Sequence, residues 1–289
     1  MSLFFFVSAL FTPLSLDKKG VVGFVRDRFF RLGVPLLVYV FGIHPLLVKY
    51  VWGMGAEYQY QLGPLWFVFA LLFFEMAYIL VRKINIKIGE IKINSWTMAI
   101  FVVVTGLLTF ALRTVVRTNQ QIMGITFANF VLYIAMYTMG ILASRQKLLD
   151  TLSVRRSYKW MAIAFAMWIL MLGVSASHPE GTSGGLNFTS LVYSVWEAVS
   201  CVAVSYFLLA IGKRYFNKQH TFWESAAADS FLAFVIHPFP VVFLTQLIEG
   251  AGLSPEVLIP ITAIVAIMLS FVVAHVLRWV CHTLNYKWV

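Results

Sequence analysis

Apolar runs alternate with short polar segments along the whole chain. The runs cover Leu3–Leu14, Gly33–Tyr50, Pro64–Val81, Trp96–Leu112, Ile122–Ala143, Trp160–Val174, Leu191–Ile211, Ser230–Ile248 and Val257–Trp279. A helix that crosses a bilayer needs about 20 residues, within a range of roughly 17 to 25. Most runs meet or approach that length. The pattern predicts an all-α, polytopic transmembrane helical bundle of about nine spans. The first run is short, and Pro13 near its end predicts termination there. The segment His178–Asn187, HPEGTSGGLN, reads as a flexible loop because glycine and proline punctuate it. No Ser/Pro/Gly linker divides the chain, so residues 1–289 read as a single transmembrane domain, and no internal repeat stands out.

Charge tests this reading independently. Residues 17–31, 82–94, 144–159 and 212–228, together with the C-terminal edge at Arg278 and Lys287, hold 19 of the 22 basic residues. The intervening segments hold only Lys49, Arg113 and Arg117. Basic residues concentrate on the cytoplasmic side of membrane proteins. The alternation therefore predicts cytoplasmic basic segments and a cytoplasmic C-terminus. With nine spans the N-terminus then falls on the outer side. An even number of spans would restore a cytoplasmic start, which is the expectation that the domain is N-terminally incomplete.

Composition narrows the class further. Hydrophobic residues make up 61% and charged residues 12%, whereas an average soluble domain is about one quarter charged. Too few polar residues exist to cover a water-facing surface, so the surface faces lipid. The formal charge of +10 raises the question of nucleic acid. Its placement in short loops answers with membrane orientation, and no nucleic-acid signature is present. Cys201 and Cys281 sit in apolar surroundings and read as small hydrophobes, not a disulfide framework.

Several residues stand out against this background. In FVRDRFFRLGVP, Phe24–Pro35, Arg28 and Arg31 are three apart, and on an α-helix they share a face. Such a pair can clamp a phosphate, pyrophosphate or carboxylate. Positive-inside anchoring with snorkelling side chains is the plainer reading. His237 lies in FLAFVIHPFP, where Pro238 and Pro240 interrupt the helix. An intramembrane ionisable group is a functional candidate; a neutral histidine bonded to a carbonyl is the structural alternative. Glu197 and Glu75 lie inside apolar runs, where a carboxylate must pair, face a wet cavity or be protonated. Either serves as a proton acceptor or as a partner for an arginine. Asp229 stands eight residues before His237 and need not pair with it, while His275 precedes Arg278 by three. No histidine pair has compact metal-ligand spacing. Trp66, Trp52, Trp160, Trp279 and Trp288 fit interfacial belts. Arg113 and Arg117 are basic residues on the expected outer side, where lipid phosphate or an anionic acceptor is the partner.

The segments LFFFVSALFTPLS, KKGVVGFVRDRFFRLGVPLLV, LGPLWFVFALLFFEMAYIL, VWEAVSCVAVSYFLLAIGKRYFN and DSFLAFVIHPFPVV occur in that order across almost the whole chain. Together they resemble the integral-membrane acyltransferase family 3, whose members O-acylate sugars, glycans and other hydroxylated acceptors. The resemblance maps Arg28 and Arg31 onto the family's arginine motif. It maps His237 onto a late tyrosine-x-x-x-histidine-like motif, with Phe234 where aromatic residues are common. The histidine regarded as catalytic in the family lies in a first span, upstream of the segment at which this sequence begins.

The resemblance implies a donor, acyl-coenzyme A, that approaches from the cytoplasm, and no bound cofactor or metal. Arg28 and Arg31 would hold its phosphates or the acyl carbonyl. A general base would take the acceptor hydroxyl's proton, and a donor would stabilise the oxyanion. Arginine suits the second task and not the first, because it stays protonated. Arg31, His237 and Glu197 are the expected catalytic residues, and Arg28 and Arg31 the donor-binding ones. A residue of a preceding helix, a partner subunit completing the site, or His237 would supply the base, in that order. The expected partners are membrane lipids, the acyl donor and the hydroxylated acceptor, with no nucleic acid. The expected location is a bacterial inner or plasma membrane. Two other functions fit the sequence: a non-catalytic relative that binds lipid or glycan, and a small-solute or lipid transporter.

Overall fold

The computed structural model describes residues 1–49, 60–84, 92–122, 124–216, 220–248 and 254–283. Expectations for Trp52, Glu57, Lys87, Glu90, Lys218, Glu249, Lys287 and Trp288 lie outside the described residues. The long helices are α1 (Ser2–Arg28), α4 (Trp66–Arg82), α5 (Ser95–Arg113), α6 (Phe130–Gln146), α7 (Val154–Ser177), α8 (Phe188–Tyr215) and α11 (Pro255–Thr283). Shorter helices are α2 (Val34–Val38), α3 (His44–Leu47), α9 (Thr221–Ile236) and α10 (Pro238–Ile248). Among the described residues there is no strand, only an isolated bridge between Ile122 and Ile125.

Six helical stretches, from Gly63–Arg82 to Glu256–Thr283, are each long and apolar enough to cross a bilayer. Helices α9 and α10 together are long and apolar enough for a further span and are bent by 61° between them. The stretch Ser2–Leu47 contains 46 residues. At about 1.5 Å per residue it is more than twice the roughly 30 Å hydrocarbon thickness. It therefore accommodates the first two expected spans, and the all-α bundle of about nine spans holds.

Two local expectations are corrected. Pro13 does not end the first helix: α1 runs through it, and the helical path breaks at Gly20 instead (φ 67, ψ 173). Neighbouring helices and hydroxyl side chains make proline tolerable inside membrane helices. Here Pro13 is buried, and Thr12 Oγ1 donates to the Ser8 carbonyl at 3.0 Å. Gly20 adopts a backbone conformation that a side chain would penalise. The fifth span begins later than Ile122. Ile122 and Ile125 form an isolated bridge beside Gly124 (φ 81), and α6 starts only at Phe130. Hydropathy is blind to that bridge because its residues are apolar.

The chain forms two compact units. The first comprises Met1–Asp27 and Phe69–Asn217, the second Arg28–Val68 and Lys218–Val289. In the first unit α8 packs against α5 and α7. Water-driven burial does not hold helices together in lipid, so close backbone approach and polar contacts must. Gly140 of α6 provides such an approach: a Cβ there would stand 2.3 Å from the Phe6 carbonyl oxygen and 2.6 Å from Ala9 Cβ. Beside it Phe5 stacks on Tyr133 at 5.0 Å and meets Phe74 at 5.2 Å. Pairs of this kind contribute about 0.5–1.5 kcal/mol beyond area burial. The outward faces are apolar, as lipid requires, with Ile163, Phe165, Trp168, Ile169 and Leu172 of α7 exposed.

The loop expected to be flexible is tied down. Gly185 N–H donates to the Arg113 carbonyl at 2.9 Å, and Thr118 N–H to the Ser183 carbonyl at 2.9 Å. Asn187 then caps α8 by accepting from Ser190 N–H at 2.8 Å, satisfying one orphan donor of the first turn. In the second unit α11 packs against α9 and α10, and Phe67 meets Phe234 edge-on at 6.1 Å.

Candidate functional site

The second unit carries three of the four expected site residues, Arg28, Arg31 and His237, and the first unit carries Glu197. Arg28 closes α1, and Arg31 lies in the π-helical turn Phe29–Gly33. Proline explains the turn. Pro35 has no N–H to offer the Arg31 carbonyl four residues earlier. The helix widens, and Val34 N–H reaches back to the Phe29 carbonyl. The same device recurs at Tyr39–Ile43, just before Pro45, where His44 N–H bonds the Tyr39 carbonyl. The shared α-helical face expected for Arg28 and Arg31 is thus altered by a π turn between them, a feature often found at functional sites. Arg28 is half-buried and Arg31 exposed.

His237 sits at the break between α9 and α10. Its Nδ1 lies 2.5 Å from the Phe234 carbonyl. A carbonyl only accepts, so Nδ1 carries the proton and Nε2 is left as an acceptor. Proline again supplies the reason. Pro238 cannot donate to the Phe234 carbonyl, and the histidine ring takes over that bond. Among the described residues His237 bonds neither Arg28 nor Arg31. The carbonyl-bonded reading of His237 is therefore what the geometry contains.

The same unit assembles a cluster not anticipated as a group. Asp229 of α9 is 4% exposed at its side chain. Its Oδ2 lies 2.9 Å from His275 Nδ1, and its Oδ1 lies 2.7 Å from Arg278 Nε. Arg278 Nη2 also donates to Ser225 Oγ at 2.7 Å. Ser225 and Asp229 are one turn apart on α9, and His275 and Arg278 one turn apart on α11. Polar residues at i, i+4 and i, i+3 in two apolar helices are the signal that would have paired them. A charge inside a membrane helix needs such a partner, and Arg278 provides it for Asp229.

The first unit carries Glu197, and its partner is Arg113. The guanidinium is fully buried, and Nη2 lies 2.5 Å from Glu197 Oε2. The same nitrogen donates to Asn129 Oδ1 at 2.6 Å. Nη1 reaches Ser194 Oγ at 3.4 Å, and the Tyr193 ring lies 4.9 Å away. The helices prepare this site. Thr105, Thr109 and Arg113 fall at four-residue intervals on the buried face of α5, and Ser190 and Ser194 do so on α8. Arg113 was read as facing lipid phosphate on the outer side; it instead joins a buried side-chain network. Glu75 on α4 is fully buried beside the aromatic cluster of Phe74. Arg117 lines an open polar recess of about 600 Å³ with His178, Glu180 and Asn187.

Chemically, the second unit offers an arginine pair and two histidines whose Nδ1 atoms are engaged. Cys201 and Cys281 are both unpaired. Among the described residues no three His, Cys, Asp or Glu side chains converge as metal ligands.

Comparison with protein families finds a match to the acyltransferase family 3 model, described as an acyltransferase domain, over residues 1–279. No curated protein and no solved structure matches the chain.

Proposed function

Because the chain belongs to acyltransferase family 3 and is a multi-pass membrane acyltransferase, we propose that it moves an acyl group from acyl-coenzyme A to a hydroxyl of a sugar, glycan or small acceptor. The observation that carries this reading is the family match along nearly the full chain. The arginine pair at the π turn supports it.

Acyl transfer from a thioester passes through a tetrahedral oxyanion, whose stabilisation is often the largest catalytic contribution. Arg31 donates to the acyl carbonyl oxygen, and Arg28 holds a donor phosphate through charge-assisted bonds. The π turn sets the direction of Arg31 relative to Arg28. Glu197 holds Arg113 in the first unit. The proton acceptor is a residue of a preceding helix, of a partner subunit, or His237, in that order, since Arg28 and Arg31 remain protonated.

The distribution of basic residues supports a cytoplasmic side for residues 17–31 and the C-terminus, and the family membership supports a bacterial inner or plasma membrane. The donor enters from that side. Membrane lipids surround the chain, and neither a bound cofactor nor nucleic acid takes part.

The test is release of free coenzyme A thiol by the purified chain in liposomes. Acetyl- and palmitoyl-coenzyme A serve as donors, with a membrane glycan fraction as acceptor source. Release that rises with added glycan supports the reading. Release absent with both donors overturns it.

A further inference from the structure

A slot between α4 and α6 in the first unit takes part in no step of the proposed reaction, and its two ends differ in chemistry. Its volume is about 770 Å³, within the roughly 300–1,000 Å³ of ligand pockets. Phe73, Ala77 and Val81 recur every fourth residue on α4, and Ile134, Thr138 and Leu142 do so on α6, so each helix lends one face to the walls. At one end Phe74 closes the slot against Tyr137 at 5.4 Å and Phe130 at 6.0 Å. Arg82 and Arg145 stand at the other end, in the last turn of each helix. From Phe74 to Arg82 is about 12 Å along α4. One leaflet of the hydrocarbon core is about 15 Å deep, so the slot is close to the depth that a lipid chain spans.

We propose that this slot binds an anionic phospholipid, with its phosphate at Arg145 and Tyr78 and one acyl chain between α4 and α6. Arg145 Nη2 donates to the Tyr78 hydroxyl at 2.7 Å, and the guanidinium carbon lies 5.8 Å from the ring centre. The phenol accepts that bond, so its own hydrogen is left to donate. Among the described residues the Arg145 guanidinium meets no carboxylate and the Tyr78 hydrogen no acceptor. Tyr78 is buried, which fixes the phenol and, through it, the guanidinium. A phosphate oxygen supplies what both donors lack, through charge-assisted bonds.

Charge selects the headgroup. Arg82 pairs with Asp17 at the rim and is neutralised there. A second recess, of about 390 Å³, shares Asp17 and Arg82 with the slot, and Lys83 lines it. Among the described residues Lys83 has no acidic partner. Arg145 and Lys83 therefore leave two positive charges uncompensated. The C-terminal ends of α4 and α6 favour cations, not anions, so these side chains must supply the attraction. Both lie in basic segments, 82–94 and 144–159, that the charge pattern assigns to the cytoplasmic side. Basic pockets between membrane helices on that side bind anionic lipid headgroups. A zwitterionic lipid brings a cation that Arg145 and Lys83 repel, and a soluble phosphate leaves the apolar walls unused.

Snorkelling alone would also place basic residues at these helix ends. It explains neither the slot nor the pairing of a guanidinium with a phenol instead of a carboxylate. It also gives every basic residue of segment 144–159 equal weight. Arg155 provides the contrast: it is exposed in the same segment, at the start of α7, and stands outside the lining of the slot.

The full chain in detergent is offered equimolar phosphatidylglycerol and phosphatidylcholine with the same acyl chains, and the retained lipid is counted by native mass spectrometry. The wild type should retain phosphatidylglycerol about tenfold over phosphatidylcholine, as charge-assisted bonds allow. Arg145→Gln should bring the ratio close to one. Lys83→Gln should lower it part of the way, and Arg155→Gln should leave it unchanged. Tyr78→Phe keeps the ring and removes only the O–H; it should lower the ratio too, and it carries the test if Arg145→Gln does not fold. Glycerol phosphate, a headgroup without a chain, should not displace the lipid at equal concentration. Equal retention of the two lipids by the wild type overturns the proposal. So does an equal fall in Arg145→Gln and Arg155→Gln, which leaves only general attraction to a basic surface. Displacement by glycerol phosphate overturns the lipid in favour of a soluble phosphate. The readout is binding alone, so it stands whether or not the chain transfers acyl groups from coenzyme A.

Discussion

Arg113 and Glu197, 84 residues apart in sequence, form a 2.5 Å ion pair in which the guanidinium is fully buried. The pair joins the end of α5 to the upper part of α8, with Asn129 and Ser194 taking further guanidinium hydrogens. Glu197 therefore has a structural task whatever part it takes in chemistry.

Removing one member of a buried pair strands the other, at about 3–5 kcal/mol. Glu197 is partly exposed, so Glu197→Ala should fall near the lower end, about 3 kcal/mol. Thermal unfolding in detergent should show a clear drop in Tm. The double variant Arg113→Met, Glu197→Met should recover much of the loss, since no charge is then left alone. A Glu197→Ala protein that melts with the wild type would remove the pair's structural role.

Gly140 tests the packing of α1 on α6. A Cβ there would overlap the Phe6 carbonyl at 2.3 Å, and that neighbour is backbone, which cannot rotate away. Gly140→Val should cost about 1–3 kcal/mol, the usual range for overpacking. The yield of folded protein by size-exclusion chromatography should fall, and an undiminished yield would refute the close approach.

Much of this fold was legible because lipid imposes a simple rule: apolar runs of fixed length, with basic residues gathered in alternate connecting segments. The bend at His237–Pro238 was legible too, since proline removes a known donor. The break at Gly20 was not, because the conspicuous breaker nearby, Pro13, is absorbed by packing and by the Thr12 bond to Ser8. Pairings between distant helices were the least legible. Arg113 looked like a lipid-facing cation because its partner is 84 residues away. Asp229 was compared with His237, eight residues further along the chain, while its partners His275 and Arg278 lie on α11. The polar spacing within each helix was visible, but which helices meet is set by tertiary packing.

His237 and Pro238 should be energetically coupled. Pro238→Ala restores an N–H that can bond the Phe234 carbonyl, which makes the His237 ring redundant there. His237→Ala alone should cost about 0.6–1.7 kcal/mol, the range for side-chain hydrogen bonds inside membranes. In the Pro238→Ala background it should cost close to nothing. A double-mutant cycle by thermal unfolding measures the difference, and equal costs in both backgrounds would argue against the replacement of one bond by the other.

Arg31→Ala should lower acyl transfer by about 10²–10³-fold, the usual effect of removing one oxyanion donor. Membrane insertion, followed by protease accessibility of the loops, should be unchanged. Arg31→Lys should recover only part of the rate, since a point charge does not reproduce the guanidinium fork. Transfer at the wild-type rate in Arg31→Ala would exclude the arginine from the reaction.

The central claim is transfer of an acyl group from coenzyme A to a hydroxyl, and the product tests it most directly. Membranes containing the chain would be incubated with isotopically labelled acetyl- and palmitoyl-coenzyme A, and the carbohydrate fraction analysed by mass spectrometry. We expect label in alkali-labile ester linkage, present with the wild type and strongly reduced with Arg31→Ala. Carbohydrate free of label from both donors, in membranes where the chain is folded and abundant, would contradict the account.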